Sequence, residues 1–243
     1  GTWPFPPCFS TAAGFKQHYI DEGPRDGEVV VLLHGEPTWG YLYRNMIPGL
    51  TAKYRVIVPD HMGFGKSETP QDKEYTLRTH VENLEALIEE LRLTDITFVG
   101  QDWGGPITGA FTARNPKKVQ RLFLMNTVLG FGGGKASGGK TPWFQWIEKH
   151  ANAGTLEGIL GEMGSTVLSV MKIIGFQNSR DVSDTWIEAY SAPFPDRASC
   201  IGAISFPLDV HEGRFLPFVR ETLEHGDLDA LRAKPAMLIS GDK

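Results

Sequence analysis

The stretch "DITFVGQDWGGPITGAFTARN", Asp95 to Asn115, changes character within a few residues. Ile96 to Val99 form a short β-branched and aromatic run that reads as a strand buried on both faces. From Pro106 onward the chain reads as a helix. Between them lies Gly100-Gln101-Asp102-Trp103-Gly104-Gly105, in which glycines stand two positions either side of an aspartate. Small residues on both flanks let a strand turn sharply into a helix, leaving the central side chain at the carboxyl edge of a sheet, above a helix N-terminus. That position suits a nucleophile. The simpler alternative is an aspartate that caps the helix behind it.

Three more runs resemble this strand: "EVVVLLH" (28 to 34), "YRVIVPD" (54 to 60) and "VQRLFLMNT" (119 to 127). Between the second of these and Asp95, "TLRTHVENLEALIEELRL" (76 to 93) puts Val81, Leu84, Leu87, Ile88 and Leu91 on one stripe of an amphipathic helix. Alternating buried strands and helices predict right-handed crossovers and an α/β fold with a mostly parallel sheet flanked by helices. The rhythm breaks after residue 128. Residues 131 to about 213 are first glycine-rich and then helical in character, and strand character returns at "PAMLIS" (235 to 240). The predicted organisation is a core of residues 1–130 and 214–243, interrupted by a helical insertion of residues 131–213.

Composition narrows the partners. A net charge of −5 does not suit a surface that neutralises phosphate backbones, so nucleic acid is not expected. Cys8 and Cys200 form no metal-binding pair, and two lone cysteines favour a reducing compartment such as the cytoplasm, although nothing in the chain marks an address. No apolar run has the length of a bilayer span, so no membrane partner is expected. The glycine-rich stretch "GKASGGKT", Gly134 to Thr141, matches the phosphate-loop pattern G-x-x-x-x-G-K-[ST]. A working phosphate loop joins a strand directly to a helix. Here the preceding strand ends near Thr127, glycines abound, and no nucleotide is expected.

An aspartate nucleophile dictates its chemistry. A carboxylate displaces a leaving group from sp³ carbon and becomes an alkyl ester, whose carbonyl an activated water then attacks. Alkyl halides and epoxides are the substrates that suit it. A second element agrees: His34-Gly35-Glu36-Pro37-Thr38-Trp39 follows the first strong strand. There the backbone N–H of Glu36 can join that of Trp103 as the donor pair of an oxyanion hole. Each such donor contributes roughly a hundredfold or more in rate. The simpler reading of this segment is a strand-ending turn.

With these residues in hand, "HGEPTWGYLYRNMIP", "PDHMGFGKSE", "VGQDWGG" and "YSAPFPD" together resemble the haloalkane dehalogenases of the α/β-hydrolase superfamily, from about residue 15 onward. Gln101 favours that family over epoxide hydrolases, which usually carry His before the nucleophile. The resemblance implies an α/β-hydrolase fold with residues 131–213 as a helical cap inserted after the sixth strand, and an active site between cap and core. It implies that Asp102 is the nucleophile, that Trp103 donates its indole N–H to the departing halide, and that the backbone of Glu36 and Trp103 forms the oxyanion hole. Substrate would be a small apolar halogenated molecule, with water as co-substrate, halide and alcohol as products, and no cofactor or metal. Many members carry Asn after the His-Gly as the second halide donor. Glu36 stands there instead, which resembles the subfamily that uses a cap tryptophan, for which Trp143, Trp146 and Trp186 are candidates.

Two expected parts have no counterpart in the chain. Asn126 occupies the position where one branch of the family has its catalytic acid, and the other branch would place that acid immediately beyond Lys243, with Asp242 falling two positions early. None of the seven histidines matches the family's base; among them His34 matches an oxyanion-loop position, His61 falls in the "DHMGFGKS" loop, His80 on a surface helix, and His150, His211 and His225 in the cap or its exit. The acid, the base and the fold's last strand and helix are therefore expected beyond Lys243. Two other readings stay open. An epoxide hydrolase needs cap tyrosines to protonate the epoxide oxygen, and only Tyr190 lies in the cap. A non-catalytic relative would hold an apolar ligand in the cap pocket.

Overall fold

Five consecutive apolar residues, Val29 to Leu33, place their strand at the centre of the sheet. In a computed structural model, which describes residues 2–130, 142–162 and 182–241, seven strands form one sheet. They are β1 (Cys8–Ser10), β2 (Gln17–Glu22), β3 (Glu28–Leu33), β4 (Tyr54–Pro59), β5 (Ile96–Gln101), β6 (Val119–Met125) and β7 (Ala236–Ile239), in the order β1-β2-β4-β3-β5-β6-β7. β1 and β2 are antiparallel to their neighbours, and β4, β3, β5, β6 and β7 run parallel. The sequence expectation of a mostly parallel sheet holds. β1 and β2 escaped it because β1 is brief and follows prolines, while β2 buries the polar side chains of Gln17 and His18.

The unbroken run in β3 follows from burial on both faces. Val31 and Leu33 pack on one side with Ile57 of β4 and Phe98 of β5, whereas Val30 and Leu32 pack on the other with Val56, Val58 and Val99. Strand residues alternate between faces, so a strand covered on both sides has no polar position to spare. The first face is covered by α2 (Leu77–Glu90) and α3 (Gly104–Arg114), and the second in part by the short α1 (Ile47–Leu50). On α2 the expected stripe of Val81, Leu84, Leu87 and Ile88 is buried, and Thr76 caps the helix by accepting the Thr79 N–H. The helix stops at Glu90, so Leu91 caps its end. One reading is corrected: His80 lies on the inner face of α2, 1% exposed, and not on the surface.

Between β6 and β7 the described residues are helical: α4 (Pro142–Asn152), α5 (Leu156–Glu162), α6 (Asp184–Ser191), α7 (Ile201–Glu212), α8 (Leu216–His225) and α9 (Leu228–Arg232). The phosphate-loop match at 134–141 and Asp242 lie outside the described residues. Burial fades toward β7, whose Met237, Leu238 and Ile239 are all more than half exposed. No helix among the described residues is long and apolar enough to cross a membrane.

What brings β3 and β5 into position is backbone contact made possible by glycine. A Cβ on Gly104 would stand 2.3 Å from the Leu33 carbonyl oxygen, and one on Gly100 would stand 2.7 Å from the Gly104 carbonyl oxygen. Neither neighbour can move without displacing the end of β3 or the start of α3. Gly104→Ala is therefore expected to lower the unfolding free energy by roughly 3 kcal/mol or more. Gly49→Ala, in a helix with open space around it, should instead be neutral or stabilising by up to about 1 kcal/mol. Urea denaturation of both variants checks the contrast; a Gly104→Ala protein as stable as the parent would contradict the close approach.

Candidate active site

The turn after β5 holds Asp102 at φ +52°, a left-handed conformation that non-glycine residues seldom adopt. Surrounding contacts enforce it. The Asp102 carbonyl accepts the Gly105 N–H at 2.9 Å and the hydroxyl of Thr127. α3 begins immediately, with Trp103 at its N-cap and no side-chain cap. The carboxylate of Asp102 therefore does not cap the helix. It accepts the Glu36 N–H at 2.9 Å through Oδ1, and a second backbone bond comes from Trp103. Gly35 permits this approach, since a Cβ there would come within 2.4 Å of the Asp102 side chain.

Burial raises the carboxyl pKa of Asp102 above its ordinary value, and the backbone N–H bonds from Glu36 and Trp103 oppose that rise. Glu36 has its own carboxyl buried nearby, with Oε1 unpartnered among the described residues. Burial, and then the charge of Asp102, push its pKa well above the carboxylate range. Oδ1 of Asp102 is thus held by the Glu36 N–H while the residue opens on a cavity of about 460 Å³. Trp103, Asn126 and Thr127 share its polar side; Phe144, Val210 and Phe215 are among its apolar walls. Phe206 stacks on Trp103 at 4.4 Å between ring centroids.

Sequence reasoning named Asp102, Glu36 and Trp103, and the structure brings these three together. It places the tryptophans elsewhere: Trp143 and Trp146 stack on each other at 5.5 Å, Trp186 packs on Tyr190 at 4.4 Å, and none of the three lines the cavity as described. Tyr190 packs against Trp39 and Tyr41, away from the cavity. Thr127 and the walls from α4, α7 and α8 were not foreseen, because nothing local to those segments marks which residues will face Asp102. None of the seven histidines lines the cavity. Among the described residues no group of three or more His, Cys, Asp or Glu is placed to hold a metal ion. A second groove of about 580 Å³ runs along α2, α3 and α8, where Glu85 and Glu89 already pair with Arg114 and Lys118.

Residues 28–152 match the family model for the α/β-hydrolase fold. The haloalkane dehalogenase of Psychrobacter cryohalolentis is 41% identical over 197 residues, 79% of this chain and 59% of that protein. The haloalkane dehalogenase of Mycobacterium marinum is 36% identical over 230 residues, 94% of this chain and 72% of that protein. A cis-3-alkyl-4-alkyloxetan-2-one decarboxylase of Shewanella oneidensis is 36% identical over 211 residues, 85% of this chain and 63% of that protein. This chain thus spans less than two thirds of the Psychrobacter and Shewanella relatives. Among solved structures, a haloalkane dehalogenase from Paraglaciecola agarilytica NO2 superposes with a TM-score of 0.76 at 27% identity, over 99% of this chain and 87% of that one.

Beneath the cavity floor lies a buried polar layer. His34 donates from Nδ1 to the Gly35 carbonyl at 2.8 Å and accepts the His61 N–H at Nε2, 3.0 Å away; His61 donates from Nε2 to the His34 carbonyl at 2.8 Å. These bonds define a neutral tautomer for His34 and place a proton on Nε2 of His61. Beside them, Asp60 accepts N–H bonds from Gly40 at 2.8 Å and Lys66 at 2.9 Å, together with His18 Nδ1 at 2.7 Å. His80 stacks on Phe206 at 4.4 Å, and neither of its ring nitrogens has a partner among the described residues. Burial holds His34 and His80 well below the usual imidazole range, and brings His61 down to about 4. The unfolded chain protonates these rings near pH 6.5 and the folded chain does not, so their contribution to stability is complete above that pH and declines as pH falls toward 4. For His61 alone the full loss is roughly 3 kcal/mol. Protonation of Glu36 in the folded chain opposes this loss, so the histidine contribution is read from urea midpoints of a variant against the parent at the two pH values. His80→Phe should be close to the parent at pH 7, and at pH 5 should recover roughly 2 kcal/mol relative to it. A His80→Phe protein that gains nothing on the parent at pH 5 relative to pH 7 would rule out a neutral buried His80 ring.

Proposed function

The chain belongs to the haloalkane dehalogenase family, within the α/β-hydrolase fold, and from that membership we propose that it hydrolyses haloalkanes to an alcohol and halide through an ester on Asp102. The observation that carries the reading is the Asp102 carboxylate, with Oδ1 held by the Glu36 N–H at the edge of an apolar cavity. The free oxygen attacks the halogen-bearing carbon, the C–O bond forms as the carbon–halogen bond breaks, and halide leaves with the bonding pair. The indole N–H of Trp103 supports the leaving anion. Partial desolvation makes the carboxylate a stronger nucleophile than one in water, and apolar walls admit a small apolar substrate.

In the second half, water attacks Cγ of the ester, and the carbonyl oxygen that becomes negative is the one already facing the Glu36 N–H, with the Trp103 N–H as the second donor proposed. These donors are aligned before the reaction begins. The described residues supply the alkylation step, and none of the seven histidines lines the cavity as described. Residues 131–213 are read as the cap, a view supported by Phe144 of α4 and Val210 of α7 facing Asp102 across the cavity. Epoxide opening finds less support, because no tyrosine lines the cavity among the described residues. The Shewanella relative supports one further substrate for the same carboxylate, a 3,4-dialkyl oxetan-2-one.

Incubation with 1-bromobutane should add a butyl mass to the peptide containing Asp102 and release bromide. The adduct should be absent in Asp102→Asn and form roughly a hundredfold more slowly in Trp103→Phe. Because the ionised carboxylate is the nucleophile and its pKa is raised, the rate of adduct formation should fall as pH drops through a value above the ordinary aspartate range. A folded protein with no adduct would sink the assignment. Loss of carbon dioxide from the oxetanone, with no bromide released from bromobutane, would favour the lactone reading.

A further inference from the structure

We infer that the side-chain amide of Asn126 is the second donor, with the indole of Trp103, of the site that receives the leaving halide; this rests on the dehalogenase reading above. Asn126 follows β6 directly and sits beside the nucleophile, because Gln101 and Met125, the residues before Asp102 and Asn126, are register partners. Its backbone is held at φ +45°, a conformation asparagine tolerates better than most residues. Its N–H donates to the Ile239 carbonyl at 2.8 Å, and its Oδ1 accepts the Gly241 N–H at 2.8 Å. The acceptor is therefore spoken for and the orientation of the amide is set. Nδ2 keeps two hydrogens that have no partner among the described residues.

Elimination leads to the same atom. A halide leaving into an apolar cavity needs hydrogen-bond donors, since an unpaired ion is costly to bury. The aliphatic and phenyl walls offer none. Thr127 has given its hydroxyl proton to the Asp102 carbonyl, and Asp102 itself only accepts. Glu36 keeps its carboxyl off the cavity lining, so it does not replace the asparagine many relatives carry at that position. Trp143 and Trp146 stack on each other outside the lining. The side-chain N–H donors that remain on the described lining are Trp103 Nε1 and Asn126 Nδ2.

Titration with sodium bromide, followed by tryptophan fluorescence, tests this on the intact chain. Two substitutions separate donation from positioning, and both tolerate a positive φ. Asn126→Asp keeps an oxygen for the Gly241 N–H but loses the donor, and Asn126→Gly loses both. Each should weaken bromide binding roughly tenfold to a hundredfold, as loss of a hydrogen bond to a charged group does. Trp146→Phe should bind bromide as the parent does, and thermal melts of all variants establish that they fold. Parent-like affinity in Asn126→Asp, with loss only in Asn126→Gly, would reduce Asn126 to a tether for Gly241 and overturn the inference, as would unchanged binding in both. Loss of binding in Trp146→Phe alone would overturn it in favour of α4. If Asp102 takes the butyl adduct while the Asn126 variants bind bromide normally, this inference fails and the dehalogenase reading stands. If the parent neither binds bromide nor takes the adduct, both fail.

Discussion

One backbone hydrogen bond, from the Glu36 N–H to the Asp102 carboxylate at 2.9 Å, depends on two strand ends meeting almost in contact. β3 and β5 are parallel neighbours, so their carboxyl ends open side by side and the loops that follow them meet at one edge of the sheet. The meeting is close enough that Gly35, Gly100 and Gly104 each face an atom that a Cβ would strike. Asp102 accepts a left-handed backbone to complete it. Strain of this kind persists where its surroundings over-determine it. Here Gly105 and Thr127 hold the Asp102 carbonyl while Glu36 and Trp103 hold its carboxylate.

The same edge carries a layer of buried polar groups that fixes the loops around the turn. Asp60 binds the backbone of Gly40 and Lys66 and the ring of His18, and Gly65 is obligatory beside it because a Cβ would fall 2.1 Å from the Asp60 carboxylate. His34 and His61 join the end of β3 to the loop after β4 by reciprocal bonds. Buried polar groups are stabilising when their partners are present and costly when they are missing. Asp60 and His34 are in the first situation. His80, whose ring makes only aromatic contacts among the described residues, is in the second.

Both carboxyls at the site feel burial, with different results. Asp102 has backbone donors that favour its ionised form, whereas Oε1 of Glu36 has no partner among the described residues, and the neighbouring negative charge of Asp102 disfavours ionisation further. The two are driven toward different protonation states by a few ångströms of environment. Two carboxyls with opposed surroundings are a common way for a site to keep one charged and one neutral.

Much of this was legible along the chain, for local reasons. Strands buried on both faces show as unbroken apolar runs, so β3 to β6 were readable, as was the turn at Asp102, whose glycines stand at fixed spacing from it. β1 and β2 were not readable, because Gln17 and His18 are buried through hydrogen bonds to Asp60, far away in sequence. His80 misled for the opposite reason: a polar residue within an amphipathic helix reads as exposed, and Phe206, which covers it, arrives from α7. By itself the sequence determined the class of fold, the place of the sharp turn at Asp102 and the glycines that let two backbones touch. The residues that face Asp102 across the cavity, the partner of each buried histidine and the free hydrogens of Asn126 were decided by tertiary structure. Each depends on segments distant in sequence meeting at one sheet edge, and no local periodicity encodes that meeting.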